Sequence, residues 1–311
     1  MVQSILVVGA GATGGYLGAR LAQAGRDVTF LVHDERVDAL REFGLNIITP
    51  DGPQKVSPRV ITAAEISSHY DVIVVAVPAT AVESAIDDIE AAVGRHTVII
   101  PFLNGIRHLA LLNERFGEAA VLGGVVKIAT DATARGETVL LARGSSLVLG
   151  DQRRGVTTRC MEIVAELNVD GVTVRAIEDI VGAMWHEWAF IASLNATTIL
   201  AGAPVGDVVA AEGGATLGAL ILSEAAAISA SANHPLTSNE LQGFRGILAQ
   251  SGSGMTSSLY RAVAAGRPTD AEPILGDFIR CARAAGVLSP LLDVATLRLR
   301  VYENKRKKQE S

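Results

Sequence analysis

Ile5-Leu6-Val7-Val8-Gly9-Ala10-Gly11-Ala12-Thr13-Gly14-Gly15 is a run of aliphatic residues that breaks into a glycine-rich turn. The run reads as a buried strand. The turn reads Gly-x-Gly-x-x-Gly on Gly9, Gly11 and Gly14. Gly9 permits a tight turn, Gly11 puts no Cβ in the way of a pyrophosphate, and Gly14 lets the following helix pack close to the strand. The N–H groups of that helix then face the anion. Glycine-rich turns are common, so the context decides. Here the turn follows a strand and opens an amphipathic helix over residues 16–24 that closes at Gly25, as a dinucleotide fingerprint requires. Gly9, Ala10, Gly11, Ala12, Thr13 and Gly14 form the candidate phosphate cradle.

Outward from this turn, the first half of the chain alternates strand and helix. Strands are expected at 27–32, 46–48, 59–61, 71–77, 97–102, 121–129 and 138–149, the last containing a turn-like Gly144. Helices are expected at 35–43 and 81–93. Such alternation implies a mainly parallel, doubly wound sheet. From Asp179 onward the pattern is helical, over 183–200, 213–231, 238–249 and 270–285. The fold class is therefore α/β: a doubly wound dinucleotide-binding domain over 1–175 and an all-helical domain over 176–311. In open α/β sheets the ligand lies beyond the carboxyl ends of the strands. A helical second domain covering that crevice would supply substrate contacts.

Composition narrows the function. The chain has 311 residues, 49% hydrophobic and 19% charged, with a net charge of −6. A large core is affordable in both halves, and an acidic surface argues against nucleic acid as a partner. Cys160 and Cys281 have no metal or redox spacing and fit a reducing, cytoplasmic compartment. The N-terminus does not read as a signal peptide, and no apolar run is expected to span a membrane. The histidines show no metal-ligand spacing. The basic tail Lys305-Arg306-Lys307-Lys308 reads as a solvated end. A homodimer is compatible with the chain.

Several positions could carry chemistry. After the second strand the chain reads Leu31-Val32-His33-Asp34-Glu35-Arg36. His33 and Arg36 could embrace the 2′-phosphate of NADP(H), and Asp34 could bind the free ribose of NAD(H), so NAD(H) stays open. Glu35 and Arg36 could equally just open a helix. Asn104-Gly105 follows a strand, where an amide can reach a nicotinamide ribose or a substrate. An ordinary Asn-Gly turn reads the same way. Glu187, Ile191 and Asn195 share one helix stripe flanked by Trp185 and Trp188. They could orient a substrate, or Glu187 could face solvent while the tryptophans pack. Ser257-Ser258 precedes a helix-like stretch, and Thr269 with Glu272 resembles a capping box.

Taken in order, residues 9–14, Phe102-Leu103-Asn104-Gly105, the 185–195 helix and Gly266-Arg267-Pro268-Thr269-Asp270 before Gly276 resemble the ketopantoate reductase (2-dehydropantoate 2-reductase) family. The resemblance implies a Rossmann-type domain followed by an all-α domain. It also implies NADPH-dependent reduction of a small 2-oxo acid, 2-dehydropantoate in the family, a step of pantothenate biosynthesis. It places the glycine loop, Asn104 and Ala129 at the cofactor, with Asp270 where the family usually has glutamate. Asn195 and Ser258 match substrate-binding positions, and Asn104 also lies within substrate reach. Other positions depart from the family. His33 replaces an arginine, Pro78 a lysine, and Ile191 and Val205 two asparagines. Glu187 stands where the family places its catalytic lysine.

That last change matters most. Hydride addition to a ketone builds negative charge on oxygen, which a cation or proton donor stabilises. An ionised Glu187 would do the opposite, whereas a protonated one could donate. Lys127, inside the apolar stretch Val125-Val126-Lys127-Ile128-Ala129, is a candidate replacement cation, paired with Glu187. The plain alternative is an edge-strand lysine pointing at solvent. Two other classes remain: a dinucleotide-binding module that has lost the reaction, and a dehydrogenase of another substrate using Glu187 as base.

Overall fold

The computed structural model describes residues 2, 4–133 and 136–310, and they divide into two compact units, 1–181 and 182–311. In the first unit the elements run β1 (Ile5–Val8), α1 (Ala12–Gln23), β2 (Val28–Leu31), α2 (Asp34–Phe43), β3 (Leu45–Thr49), β4 (Gly52–Val56), β5 (Arg59–Ile61) and β6 (Tyr70–Val75). They continue with α3 (Val82–Asp88), β7 (Val93–Pro101), α4 (Arg107–Phe116), β8 (Leu122–Lys127), β9 (Thr130–Ala132), β10 (Thr138–Leu140), β11 (Ser145–Asp151), α5 (Thr158–Leu167) and β12 (Val172–Ala176).

The central sheet has the order β5-β2-β1-β6-β7, and every pairing in it is parallel. The chain runs outward from β1 on one side and resumes at β6 on the other. The strand order therefore reverses between β1 and β6, where an open α/β sheet binds its ligand. Ile5, Leu6, Val7 and Val8 are each at most 3% exposed, because this strand has neighbours on both edges and cover on both faces. Burying each such side chain contributes about 2 kcal/mol. Two smaller sheets, β4-β3-β10-β9 and β12-β11-β8, complete the unit.

Glycine controls how α1 meets these sheets. A Cβ on Gly18 would lie 2.3 Å from the ring of Phe30 in β2, and one on Gly15 would lie 2.8 Å from the hydroxyl of Thr138 in β10. These residues sit inside α1, which starts at Ala12, four positions before its expected start. The expected strand over 138–149 is two strands in different sheets. Gly144, at φ +93°, turns the chain between them. The expected helix over 81–93 stops at Asp88, and Val93 already belongs to β7. Strands β4 and β12 and helices α4 and α5 carry too short or too mixed a pattern to be read from sequence.

The second unit is helical. Helix α6 (Ile180–Ala201) enters it, followed by α7 (Val205–Ala210), α8 (Gly214–Ser231), α9 (Ser238–Leu248), α10 (Ser258–Ala264), α11 (Asp277–Ala284) and α12 (Pro290–Glu310). Residues 272–276, just before α11, are wound as one π-helical turn. The basic tail is the end of α12. Glu224 of α8 starts this helix by accepting from the amides of Leu291 and Leu292, both at 3.0 Å. One expectation is corrected: α8 is long and apolar enough to cross a membrane by length and composition, with a mean hydropathy of 1.3. Gly218, Ile221, Leu222, Ala225 and Ile228 are buried within the helical unit, as in the core helix of a bundle.

One buried group makes the first unit sensitive to acid. His108 in α4 is 3% exposed, its Nε2 has no hydrogen-bond partner among the described residues, and burial lowers its pKa to about 4. The unfolded chain binds this proton near pH 6.5, while the folded chain resists it down to about pH 4. Stability is therefore complete above about pH 6.5 and falls as pH drops through that window, by about 3 kcal/mol for this group. Chemical unfolding followed by far-ultraviolet circular dichroism at pH 7 and pH 4.5 should show this loss. His108→Leu should remove most of it, and an equal loss in the variant would assign the acid sensitivity elsewhere.

Candidate functional site

In the first unit, the loop after β1 is built from backbone. Gly9 adopts φ +94°, and a Cβ there would lie 2.9 Å from the carbonyl oxygen of Ala76, which follows β6. A Cβ on Gly14 would lie 2.1 Å from the carbonyl of Gly9, so only hydrogen lets α1 begin so close to β1. Gly11 differs. Its φ of −83° is open to any residue, and a Cβ there meets nothing within 4 Å. The space above Gly11 is open, at the N-terminus of a twelve-residue helix with no side-chain cap and no acid in its first turn. Orphan N–H groups and a helix dipole facing open space suit an anion. This cradle fits a dinucleotide pyrophosphate.

Two further segments lie at the carboxyl ends of strands of the same sheet. Arg36, in the first turn of α2, is half-buried and reaches the carbonyl of Ala10 with a guanidinium nitrogen at 3.4 Å. His33 precedes α2 and is exposed, as is Asp34. The structure therefore brings Arg36 into contact with the glycine loop, while His33 is exposed. Asn104 is exposed just past β7, on a turn completed by Gly105 at φ +82°. Thr138 escaped sequence reading: it is 1% exposed and its hydroxyl donates to the Gly11 carbonyl at 3.4 Å. Its position beneath the loop follows from sheet pairing that no local pattern signals. Lys127 ends β8 as an exposed residue opposite Ser146, and Ala129 is exposed with its carbonyl accepting from Leu141 at 2.7 Å.

In the helical unit, α6 carries Glu187 half-buried and Asn195 at 1% exposure. Asn195 is fixed at both ends of its amide. It donates to the Ile191 carbonyl at 2.8 Å and accepts from the Leu259 amide at 3.1 Å. It thus caps the first turn of α10, next to the exposed Ser258. The α10 N-cap is Ser257, whose hydroxyl accepts from the Tyr260 amide at 3.1 Å and from Thr198 of α6 at 2.7 Å. Ile191 is half-buried on the same helix, and Val205 is fully buried at the start of α7.

The capping box expected at Thr269 and Glu272 does not form. The Thr269 amide and hydroxyl both donate to Glu303 of α12 at 2.7 Å. Glu272 instead grips Arg300 through Nε at 2.5 Å and a terminal nitrogen at 2.9 Å, and also meets Arg280. A bidentate arginine outcompetes a local amide for this carboxylate. Between these anchors, Asp270 is half-buried. Burial, and then the Glu303 charge, push its carboxyl above the usual range. Burial also works upward on Glu303, but hydrogen bonds from Thr269 and Arg306 hold it below. Among the described residues no cluster of histidine, cysteine, aspartate or glutamate could hold a metal ion.

Comparison with known proteins follows this geometry. The model of the ketopantoate reductase PanE/ApbA family matches residues 5–153, and the model of that family's C-terminal domain matches residues 179–303. The uncharacterized oxidoreductase YkpB of Bacillus subtilis is 31% identical over 96% of this chain and 98% of its own length. A 2-dehydropantoate 2-reductase of Mesorhizobium japonicum is 28% identical over 73% of this chain and 76% of its own. Among solved structures, a D-mandelate dehydrogenase with NADH and anilino(oxo)acetate superposes with a TM-score of 0.88 at 19% identity, covering 98% of this chain and 99% of that one. That likeness is one of fold. The chain belongs to the ketopantoate reductase PanE/ApbA family.

Proposed function

We propose that this protein is an oxidoreductase that reduces a small 2-oxo acid with NADPH, 2-dehydropantoate being the first substrate to test. The observation that carries the reading is the uncapped N-terminus of α1 beneath the open space at Gly11. Residues 9–14 hold the pyrophosphate there, Arg36 meets the 2′-phosphate, and Asn104 and Ala129 complete the cofactor contacts of the first unit. When bound, the reduced nicotinamide supplies a hydride to the keto carbon. Ser258 takes the substrate carboxylate, and Asn195 keeps the turn that presents it in place. The free thiols of Cys160 and Cys281, both pushed up by burial, suit work in the reducing cytoplasm.

A second reading rests on Asp34 and Glu187. An acid in the first turn of α2 would choose NADH, and a carboxylate on α6 would serve as base for oxidising a 2-hydroxy acid. Titrating NADPH and NADH calorimetrically, then following nicotinamide absorbance with a panel of 2-oxo acids, separates the two. Tighter NADH binding, or turnover in the oxidative direction alone, would replace the first reading by the second.

Three variants sharpen the test. Gly11→Asp adds a good helix N-cap with its charge at the favourable end of the dipole, so the melting temperature should hold or rise. The same carboxylate fills and repels the phosphate site, so NADPH affinity should fall at least a hundredfold. Unchanged affinity would move the cofactor elsewhere. Arg36→Ala should weaken NADPH about tenfold or more and leave NADH unaffected, as expected for a charge-assisted bond to one phosphate. Glu187→Lys should raise kcat/KM for ketopantoate at least about tenfold by meeting the developing alkoxide with a cation. If it does not, the chain already supplies that charge, and Lys127→Ala becomes the variant expected to lower kcat.

A further inference from the structure

Gly15 lies just beyond the Gly-x-Gly-x-x-Gly turn, and its missing side chain makes room for a hydroxyl. The atom nearest to where its Cβ would stand is Thr138 Oγ1, at 2.8 Å. Thr138 is 1% exposed and opens β10, where it pairs with Ile47 of β3 on one side and Ala132 of β9 on the other. Its hydroxyl donates to the Gly11 carbonyl at 3.4 Å. The same carbonyl accepts from the Gly15 amide at 2.8 Å, a bond of the first turn of α1. The carbonyl at the helix N-terminus is thus held from within by α1 and from the side by a second sheet.

That carbonyl shares a peptide group with the amide of Ala12. A trans peptide is planar, with its C=O and N–H pointing in opposite directions. The Gly11 carbonyl points along α1 towards Gly15, so the Ala12 N–H points out of the helix N-terminus, on the side of the anion cradle. A donor on the carbonyl fixes the tilt of this peptide and polarises its N–H. The loop cannot do this for itself, because Gly11 has no side chain and α1 has no side-chain cap. A donor held in place before the anion arrives lowers the cost of ordering the site. Thr138 and Gly15 therefore form a matched pair: the hydroxyl reaches the loop only because the helix leaves out a Cβ.

We propose that Thr138 is a positioning residue for the pyrophosphate cradle, acting through its hydroxyl on the Gly11 carbonyl to aim the Ala12 N–H. The inference rests on the reading of residues 9–14 as that cradle. Two variants of the full chain separate hydroxyl from packing: Thr138→Val keeps the branched shape and removes the donor, and Thr138→Ser keeps the donor and removes a methyl group. Affinities for NADPH and NADH are measured by calorimetry. Thr138→Val should weaken both by the same factor, about fivefold, because both carry the pyrophosphate. Thr138→Ser should stay within about twofold of the parent for both. The Ala12 amide proton, followed by nuclear magnetic resonance in the ligand-free protein, should move upfield in Thr138→Val and hold its place in Thr138→Ser.

Equal losses in Thr138→Val and Thr138→Ser, or an Ala12 amide that does not move in Thr138→Val, would reduce Thr138 to a packing residue. A loss confined to NADPH would place its effect at the 2′-phosphate and overturn the proposal as well. Unchanged affinity in Thr138→Val, with the loss expected of Gly11→Asp intact, would overturn the positioning role alone. Unchanged affinity in Gly11→Asp would overturn the cradle, and the positioning role with it. Should Thr138→Val fail to fold, Thr138→Ala compared with Thr138→Ser isolates the hydroxyl. Equal affinities in that pair would overturn the proposal, and weaker binding of both dinucleotides by Thr138→Ala would sustain it.

Discussion

The approach of Gly14 to the carbonyl of Gly9 is the contact on which the first unit depends. With 2.1 Å between a hypothetical Cβ and that oxygen, no other residue fits. The helix is thereby brought onto the strand by backbone alone. The same helix meets β2 through Gly18 and β10 through Gly15, so three glycines fix α1 against three separate strands. A helix pinned in this way cannot pivot without breaking all three contacts. Its N-terminus, where the N–H groups lack partners, is therefore held at the reversal of strand order. The buried aliphatic run of β1 supplies stability, and the glycines determine where that stability places the anion site.

The helical unit solves its placement problem by side-chain hydrogen bonds rather than by missing side chains. Helix α6 reaches out through His186 to Glu240 at 2.8 Å, through Trp188 to Ile274, and through Asn195 and Thr198 to the start of α10. Each bond ends on a segment preceding or opening another helix. Buried donors and acceptors cost more unmade than they return when made, so such contacts specify one arrangement strongly. This changes the sense of Asn195. Its resemblance to a substrate-binding asparagine stands beside a structure in which its amide caps a neighbouring helix.

What could be read from the sequence followed from local rules. The strand–turn–helix at residues 5–24, the parallel sheet and the change to helices after residue 179 are set by periodicity and glycine. The cofactor loop is equally local, because its chemistry is backbone chemistry. Thr138 could not be found that way, since its place beneath Gly11 depends on β10 pairing with β3 across more than eighty residues of chain. Glu303 and Arg300 were hidden for the same reason. They lie on α12, and their partners Thr269 and Glu272 had a plausible local pairing that tertiary contacts overrode. The exposed end of β8 and the turn past β7 put Lys127 and Asn104 at positions that no pattern in their own segments would distinguish from ordinary turns.

The paired indoles of α6 also decide how this protein can be observed. The chain has only two tryptophans, Trp185 and Trp188, and they pack at a tilt of 41° within one turn of a single helix in the second unit. Intrinsic tryptophan emission therefore comes wholly from the helical unit. The first unit, holding the doubly wound sheet, is dark at those wavelengths and contributes only Tyr16 and Tyr70. An unfolding curve recorded by tryptophan emission describes half of the molecule. Its coincidence with a far-ultraviolet curve becomes a direct measure of whether the two units lose their structure together.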